Sequence, residues 1–284
     1  MKTLLLSTDF SATGDHAVNY GYRLAKCIRA NVVLCHAFLA PAEMPQAGLV
    51  VWPMDTYEDV LEDYNNELQK RKNKLENSVE DDGFTPATKL VNETGPVAQV
   101  IAKAVSTEKA DMVIIGTHHE GINTLLLGNH SNTLIDHLDT PLLLVPPKAR
   151  LQSPKKVVFA SDFKDPDGDF KALLSLVPLI KKLDAELFIT HIEPAGQHRD
   201  HQFWLSEFLK DVAHKSAYAK IFAKVIQNDD RDSAWEQICS GRETDLLVMV
   251  HHNHGFFEEI FKGSYTKKTA KNTSVPLLVL HPTE

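Results

Sequence analysis

The chain contains itself twice, and this repeat limits what it can fold into more than any other feature. The apolar run Leu4-Leu5-Leu6 leads into Ser7-Thr8-Asp9-Phe10, and Val157-Val158-Phe159 leads into Ala160-Ser161-Asp162-Phe163. Asp111-Met112-Val113-Ile114-Ile115 recurs as Asp245-Leu246-Leu247-Val248-Met249. Pro141-Leu142-Leu143-Leu144-Val145 recurs as Pro276-Leu277-Leu278-Val279-Leu280. One order of motifs used twice implies two copies of one unit. The paired Asp9 and Asp162 are 153 positions apart, whereas Asp111 and Asp245 are 134 apart and Pro141 and Pro276 are 135 apart. The first copy therefore carries 19 extra residues between its first and fourth apolar runs. Segment 148–154, with Lys148, Arg150, Gln152, Ser153 and Pro154, reads as an exposed joint. The expected units are residues 1–147 and 155–284.

Within each copy, apolar runs alternate with segments of helical period. The first copy predicts strands near 3–8, 31–37, 85–91, 111–116 and 141–145, and helices near 12–29, 57–79, 95–107 and 130–138. Tyr57, Leu61, Tyr64, Leu68 and Leu75 recur at helical spacing and make 57–79 amphipathic. Its acids crowd the first half and its bases the second, which suits the helix dipole and a solvated face. The second copy predicts strands near 156–161, 186–192, 219–226, 245–250 and 276–280, and helices near 168–183, 201–214, 231–241 and 264–273. Continuous apolar strands alternating with helices indicate parallel strands covered on both faces. The expected fold class is α/β: two homologous doubly wound domains, each with a five-stranded parallel sheet. The last strand of each has no helix after it and would be left as an apolar edge. Pairing the two last strands covers both edges and makes the chain a pseudo-dimer of itself.

Composition removes several classes of function. The 284 residues carry 30 basic and 38 acidic side chains, a net charge of −8, which disfavours non-specific nucleic-acid binding. No apolar run approaches the roughly 20 residues that span a bilayer. The three leucines after Met1-Lys2-Thr3 are too short a run for a secretory signal. Cys27, Cys35 and Cys239 are too few for a disulfide framework and suit a reducing, cytoplasmic setting.

The Asp-Phe strand end, Ile115-Gly116-Thr117-His118, the Leu127-Gly128 and Lys262-Gly263-Ser264 turns and the terminal Pro-Leu-Leu strand stand in one order, twice. In these residues, over nearly the whole chain, the sequence resembles the universal stress protein family in its tandem two-domain form. The resemblance implies a small α/β domain that dimerises through its last strand. Some members bind ATP, some do not, and most have no established reaction. In nucleotide-binding members the loop after the fourth strand reads Gly, two residues, Gly, nine residues, Gly, then Ser or Thr. Glycines let the backbone approach phosphates, and a helix N-terminus holds anions. The Asp ending the first strand contacts the nucleoside, and the end of the second strand, here Ala37, offers backbone groups to the base.

Both copies depart from that loop. The first keeps Gly116 and Gly128 but has His119 for the middle glycine and one residue fewer. Asn129 follows Gly128 where a hydroxyl is expected, and Ser131 supplies a hydroxyl further on. The second has Val250 and Asn253 for the first two glycines but keeps Gly263-Ser264-Tyr265-Thr266, with Lys262, Lys267, Lys268 and Lys271 around it. The candidate ligand contacts are Asp9, Ala37, Gly116, His119, Gly128, Asn129, Ser131, Asp162, Gly263, Ser264 and Thr266. The implied ligand is ATP or another adenine nucleotide with magnesium. The first copy favours the nucleoside end and the second an anion.

Other groups carry competing readings. His118-His119 and His251-His252-Asn253-His254 are either loop residues or metal ligands, but no Cys or carboxylate stands at ligand spacing. A pH-sensitive loop is a third use. His36 and His191 recur near the ends of the second strands, which suggests a structural role shared by both copies. Asp9 and Asp162 suit either a ligand contact or a helix cap. The apolar, Pro-rich insertion 39–54, with Trp52 and Met54, is either a packed loop or a lid or partner surface. No nucleophile–base pair is recognisable. The leading function is a binding or signalling module. Slow ATP hydrolysis and a scaffold or chaperone-like protein with filled pockets are the alternatives. A homodimer of the whole chain is compatible with the sequence, and no nucleic-acid or membrane partner is expected.

Overall fold

The computed structural model describes residues 1–39, 57–78, 83–117, 134–135, 138–193, 200–239, 243–251 and 274–281. The first half holds β1 (Thr3–Ser7), α1 (Ala12–Ile28), β2 (Asn31–Phe38), α2 (Tyr57–Ser78), β3 (Thr88–Thr94), α3 (Val97–Glu108), β4 (Met112–Gly116) and β5 (Leu142–Val145). The second holds β6 (Lys156–Ala160), α4 (Pro166–Leu183), β7 (Glu186–Glu193), α5 (Asp200–Ser216), β8 (Ile221–Gln227), α6 (Arg231–Cys239), β9 (Leu246–Val250) and β10 (Leu277–Leu280). The strands form one ten-stranded sheet in the order β3-β2-β1-β4-β5-β10-β9-β6-β7-β8. All neighbours are parallel except β5 and β10 at the centre, which are antiparallel.

The two halves of this order are the same sub-sheet run in opposite senses. Leu143 pairs with Leu278, its own counterpart in the repeat, and Leu142 and Leu144 pair with Val279 and Leu277. A pseudo-twofold axis therefore passes between Leu143 and Leu278. Both are almost completely buried, as the continuous apolar pattern requires. One face of the sheet packs Leu4, Leu6, Val32, Leu34, Met112 and Ile114 under α1 and α2, with Leu68 and Leu75 supplying the buried stripe of α2. The other face packs Leu5, Val33, Cys35, Val113 and Ile115 under α3. The second half repeats this arrangement with α4 and α5 on the first face and α6 on the other.

Bonds across the seam hold the halves together. Helix α1 packs on α4. Lys182 Nζ donates to Met1 O at 3.0 Å and Ile28 O at 2.8 Å. His281 Nε2 donates to Ile135 O at 2.8 Å, and His16 Nε2 ties α1 to the joint by donating to Ala149 O at 3.0 Å.

The repeat of Asp111 and Asp245 has a plain cause. Asp111 Oδ2 accepts from Thr3 N at 2.9 Å, and Asp245 Oδ2 accepts from Lys155 N and Lys156 N at 3.0 Å each. Each carboxylate ties the entry of the fourth strand of its half to the entry of the first. The third strands differ from expectation. They run over 88–94 and 221–227, a few residues later than their apolar content suggests, because these edge strands are only half covered and their pattern is mixed. Among the described residues, no helix is long and apolar enough to cross a membrane.

Candidate functional site

The site is built on the turn that follows the first strand of each half. Thr8 Oγ1 accepts from Phe10 N at 3.0 Å, which folds the chain out of the sheet. Phe10 then takes a left-handed backbone, φ 63°. Such a conformation is costly for a bulky residue and persists only where its surroundings enforce it. Asp9 Oδ1 accepts from Ser11 N at 3.1 Å and Ser11 Oγ at 2.6 Å. Ser11 Oγ caps α1 by accepting from Gly14 N at 3.0 Å. The second half repeats this turn. Ser161 Oγ accepts from Phe163 N at 2.8 Å, Phe163 has φ 54°, and Asp162 Oδ1 accepts from Lys164 N at 3.2 Å. The Asp-Phe motif is thus a turn motif first. Asp9 and Asp162 orient the turn, while Ser11 and Asp165 cap the helices.

Two glycines are fixed by close approach. A Cβ on Gly14 would lie 2.4 Å from Asp9 Oδ1. A Cβ on Gly116 would lie 2.8 Å from Thr13 O and 3.3 Å from Ala17 Cβ. Gly116, expected as a ligand contact, therefore also lets the first turn of α1 sit on the end of β4. The second half has Val250 at this place, and there α4 begins one residue further from its Asp than α1 does.

At the end of β2, odd-numbered residues bond toward β1 and even-numbered ones toward β3. Asn31 N donates to Lys2 O and Cys35 O accepts from Thr8 N, whereas Val32 N donates to Ala87 O and Phe38 O accepts from Gly95 N. Ala37 continues the odd series past the end of β1, so its N–H and C=O face the gap above Thr8. Thr117, after β4, is buried, and its Oγ1 has no hydrogen-bond partner among the described residues. From the sequence, Thr117 counted only as part of the Ile115-Gly116-Thr117-His118 strand end and not as a ligand contact. Its position beside Gly116 was the only signal.

A second group was also missed. Arg71 of α2 bonds Asp15 Oδ1 at 2.7 Å, Glu67 Oε2 at 2.6 Å and Phe10 O at 3.1 Å. Its guanidinium lies 4.4 Å from the centre of the Phe10 ring, and His36 stacks on that ring with centroids 4.1 Å apart. Tyr64 meets His36 edge-on at 4.8 Å and Phe38 at 5.0 Å. Burial pushes the His36 imidazole below its ordinary value, against upward pulls from the Thr8 carbonyl and Asp9, with Arg71 adding to the fall. His36 Nε2 is buried and has no hydrogen-bond partner among the described residues. In the second half the contacts of Phe163 are with other rings. There Phe163 meets His191 at 5.7 Å and Phe208 at 5.3 Å, Asp162 pairs with Lys164 at 2.9 Å, and buried Ser161 Oγ donates to buried Asp169.

The structure brings Asp9, Ala37 and Gly116 to one end of the first sub-sheet, where β1, β2 and β4 finish, and Asp162 to the matching end of the second. His119, Gly128, Asn129, Ser131, Gly263, Ser264 and Thr266 lie outside the described residues, as do His118, His252, His254, Trp52 and Met54. Among the described residues, no three His, Cys, Asp or Glu side chains group to hold a metal ion. Burial pushes the thiols of Cys35 and Cys239 up to about 12, which leaves them unreactive near neutrality.

A sequence model described as the universal stress protein family matches residues 1–146. The chain belongs to the universal stress protein family. A universal stress protein of Mycolicibacterium smegmatis is 24% identical over 299 residues, covering 98% of this chain and 97% of that one. The crystal structure of a universal stress protein from Archaeoglobus fulgidus aligns with a TM-score of 0.67 at 14% identity, over 99% of this chain and 98% of that chain. A Pseudomonas aeruginosa protein of unknown function aligns with a TM-score of 0.58 at 12% identity, over 99% and 93%. At these identities the structures show a shared fold. Alignment over nearly whole chains is consistent with a universal stress protein of tandem form.

Proposed function

We propose that the chain is a tandem universal stress protein acting as a ligand-dependent binding or signalling module, with units at 1–147 and 155–284. The ligand is an adenine nucleotide. The observation that carries this reading is the joint placement of Asp9, the backbone groups of Ala37 and the orphaned Thr117 hydroxyl around the ends of β1, β2 and β4. A carboxylate suits a ribose, an amide beside a carbonyl suits the edge of a base, and the loop that starts at Thr117 would carry the phosphates near Gly128. In the second half, Gly263, Ser264 and Thr266 would serve an anion at a helix N-terminus. Its outcome is a change in these loops that a partner or the central strand pair reads. The setting is the cytoplasm, with which the buried thiols of Cys35 and Cys239 are compatible.

The test is calorimetric titration of ATP, with and without magnesium, into the wild type and into Gly128→Val and Gly263→Val. Binding abolished by one substitution locates the working half. No heat from a folded protein at any reachable concentration rejects the nucleotide. That result would favour a second reading, a scaffold with filled clefts. It draws on the rings of Phe10, His36, Phe38 and Tyr64 packed beside Asp9, and on Val250 in the second half.

A further inference from the structure

The strand ladder stops one bond early in both halves, and a histidine stands at each stop. After Thr8 N donates to Cys35 O, the next bond of a parallel ladder would run from Ala37 N to Thr8 O. Among the described residues, Ala37 N has no hydrogen-bond partner. Thr8 O instead accepts from His36 Nδ1 at 2.8 Å. In the second half, Ser161 N donates to Thr190 O, Ile192 N has no partner among the described residues, and Ser161 O accepts from His191 Nδ1 at 3.1 Å. A carbonyl accepts two bonds, so lone-pair capacity does not force the diversion. It is positional. Each imidazole fills the corner between the departing chain and the continuing strand. Because a carbonyl only accepts, Nδ1 carries the proton in both rings.

We propose that His36 and His191 are positioning residues that keep the Ala37 and Ile192 amides out of the ladder and open to the cleft. An amide held this way is a pre-oriented donor, and the group it takes is an acceptor atom on a flat ligand edge beside Asp9 or Asp162. The use of the amide rests on the ligand-binding reading above, whereas its geometry does not. His36 packs against the Phe10 ring and Tyr64, and His191 packs against the Phe163 ring with centroids 5.7 Å apart.

The experiment is residue-resolved amide exchange by NMR on the full chain, without ligand, for the wild type, His36→Leu, His36→Asn and His191→Leu. Asn offers a side-chain N–H to Thr8 O, and Leu does not. Expected are fast exchange of Ala37 and Ile192 in the wild type and slowing by about tenfold or more of Ala37 alone in His36→Leu. His191→Leu slows Ile192 alone, and His36→Asn restores the fast rate. A purely structural histidine would instead loosen its surroundings and speed exchange. Slow exchange of Ala37 in the wild type, or no slowing in a folded His36→Leu, overturns the proposal whether or not nucleotide binds. In parallel, magnesium-ATP binding is expected to weaken about tenfold in His36→Leu and to recover in His36→Asn. If exchange behaves as expected and ATP gives no heat in any variant, the positioning role stands and the nucleotide reading alone falls.

Discussion

Gly116 and His36 show how one residue meets two demands. Gly116 stands where a phosphate-binding loop would begin, yet the nearest obstacle to a side chain there is Thr13 O, at 2.8 Å from a built Cβ. Backbone cannot rotate away as a side-chain tip can, so α1 must move. Gly116→Ala is expected to lower stability by about 1–3 kcal/mol, the usual range for overpacking, measured by urea denaturation. A change under about 0.5 kcal/mol would mean that α1 shifts freely and that the glycine serves the ligand instead. His36 carries a pH prediction. Its folded-state value is lowered, chiefly by burial, so the unfolded chain binds the proton more tightly. Its contribution is therefore fully present above the ordinary histidine value of about 6.5 and is lost as pH falls through the lower folded value. Denaturation midpoints at pH 7.5 and 5 should fall further for the wild type than for His36→Asn, which cannot charge. Equal falls would place the acid sensitivity elsewhere.

At the scale of elements, α2 depends on a side chain that its own periodicity does not reveal. The period of Tyr57, Tyr64, Leu68 and Leu75 predicted the helix nearly to its observed ends, Tyr57–Ser78. Arg71 looked like one more base on a solvated face, yet it hydrogen-bonds α2 to the Asp-Phe turn, 61 positions away. Arg71→Lys keeps the charge but loses the fork that reaches Asp15, Glu67 and Phe10 O together. It is expected to cost about 1–2 kcal/mol, with exchange of α2 amides rising more than that of β2. Uniform loosening of both would show that the fork is not specific to this contact. The same contrast explains what was legible. Order, duplication and the central strand pair could be read because parallel buried strands leave continuous apolar runs, and Asp9, Ala37 and Gly116 lie at the ends of such runs. The Arg71–Phe10–His36 stack, the orphaned Thr117 hydroxyl and the His36 bond to Thr8 O could not. Each arises from residues far apart in sequence or from a backbone direction that no side chain encodes.

At the scale of the whole molecule, the pairing of β5 with β10 is an interface between subunits carried inside one chain. Its register sets Leu143 against Leu278, which are counterparts in the repeat, so the contact is self-complementary as a twofold requires. All four residues of β5 and all four of β10 are buried. Fully burying a leucine contributes about 1.5–3 kcal/mol, so separating the halves would expose a patch worth several kcal/mol and two open strand edges. A fragment of residues 1–147 should resolve this by using β5 twice, setting Leu143 against Leu143 of a second copy, and run as a dimer in size-exclusion chromatography with light scattering. Leu143→Asp in that fragment places two carboxylates at the axis and should give monomer or aggregate, because like charges opposite each other in a strand pair are unfavourable. A stable, soluble monomer of the unaltered fragment would show that the last strand carries no intrinsic drive to pair. The central joint would then be imposed by the tether at 148–154 and by the Lys182 bonds to Met1 O and Ile28 O rather than by the strands themselves.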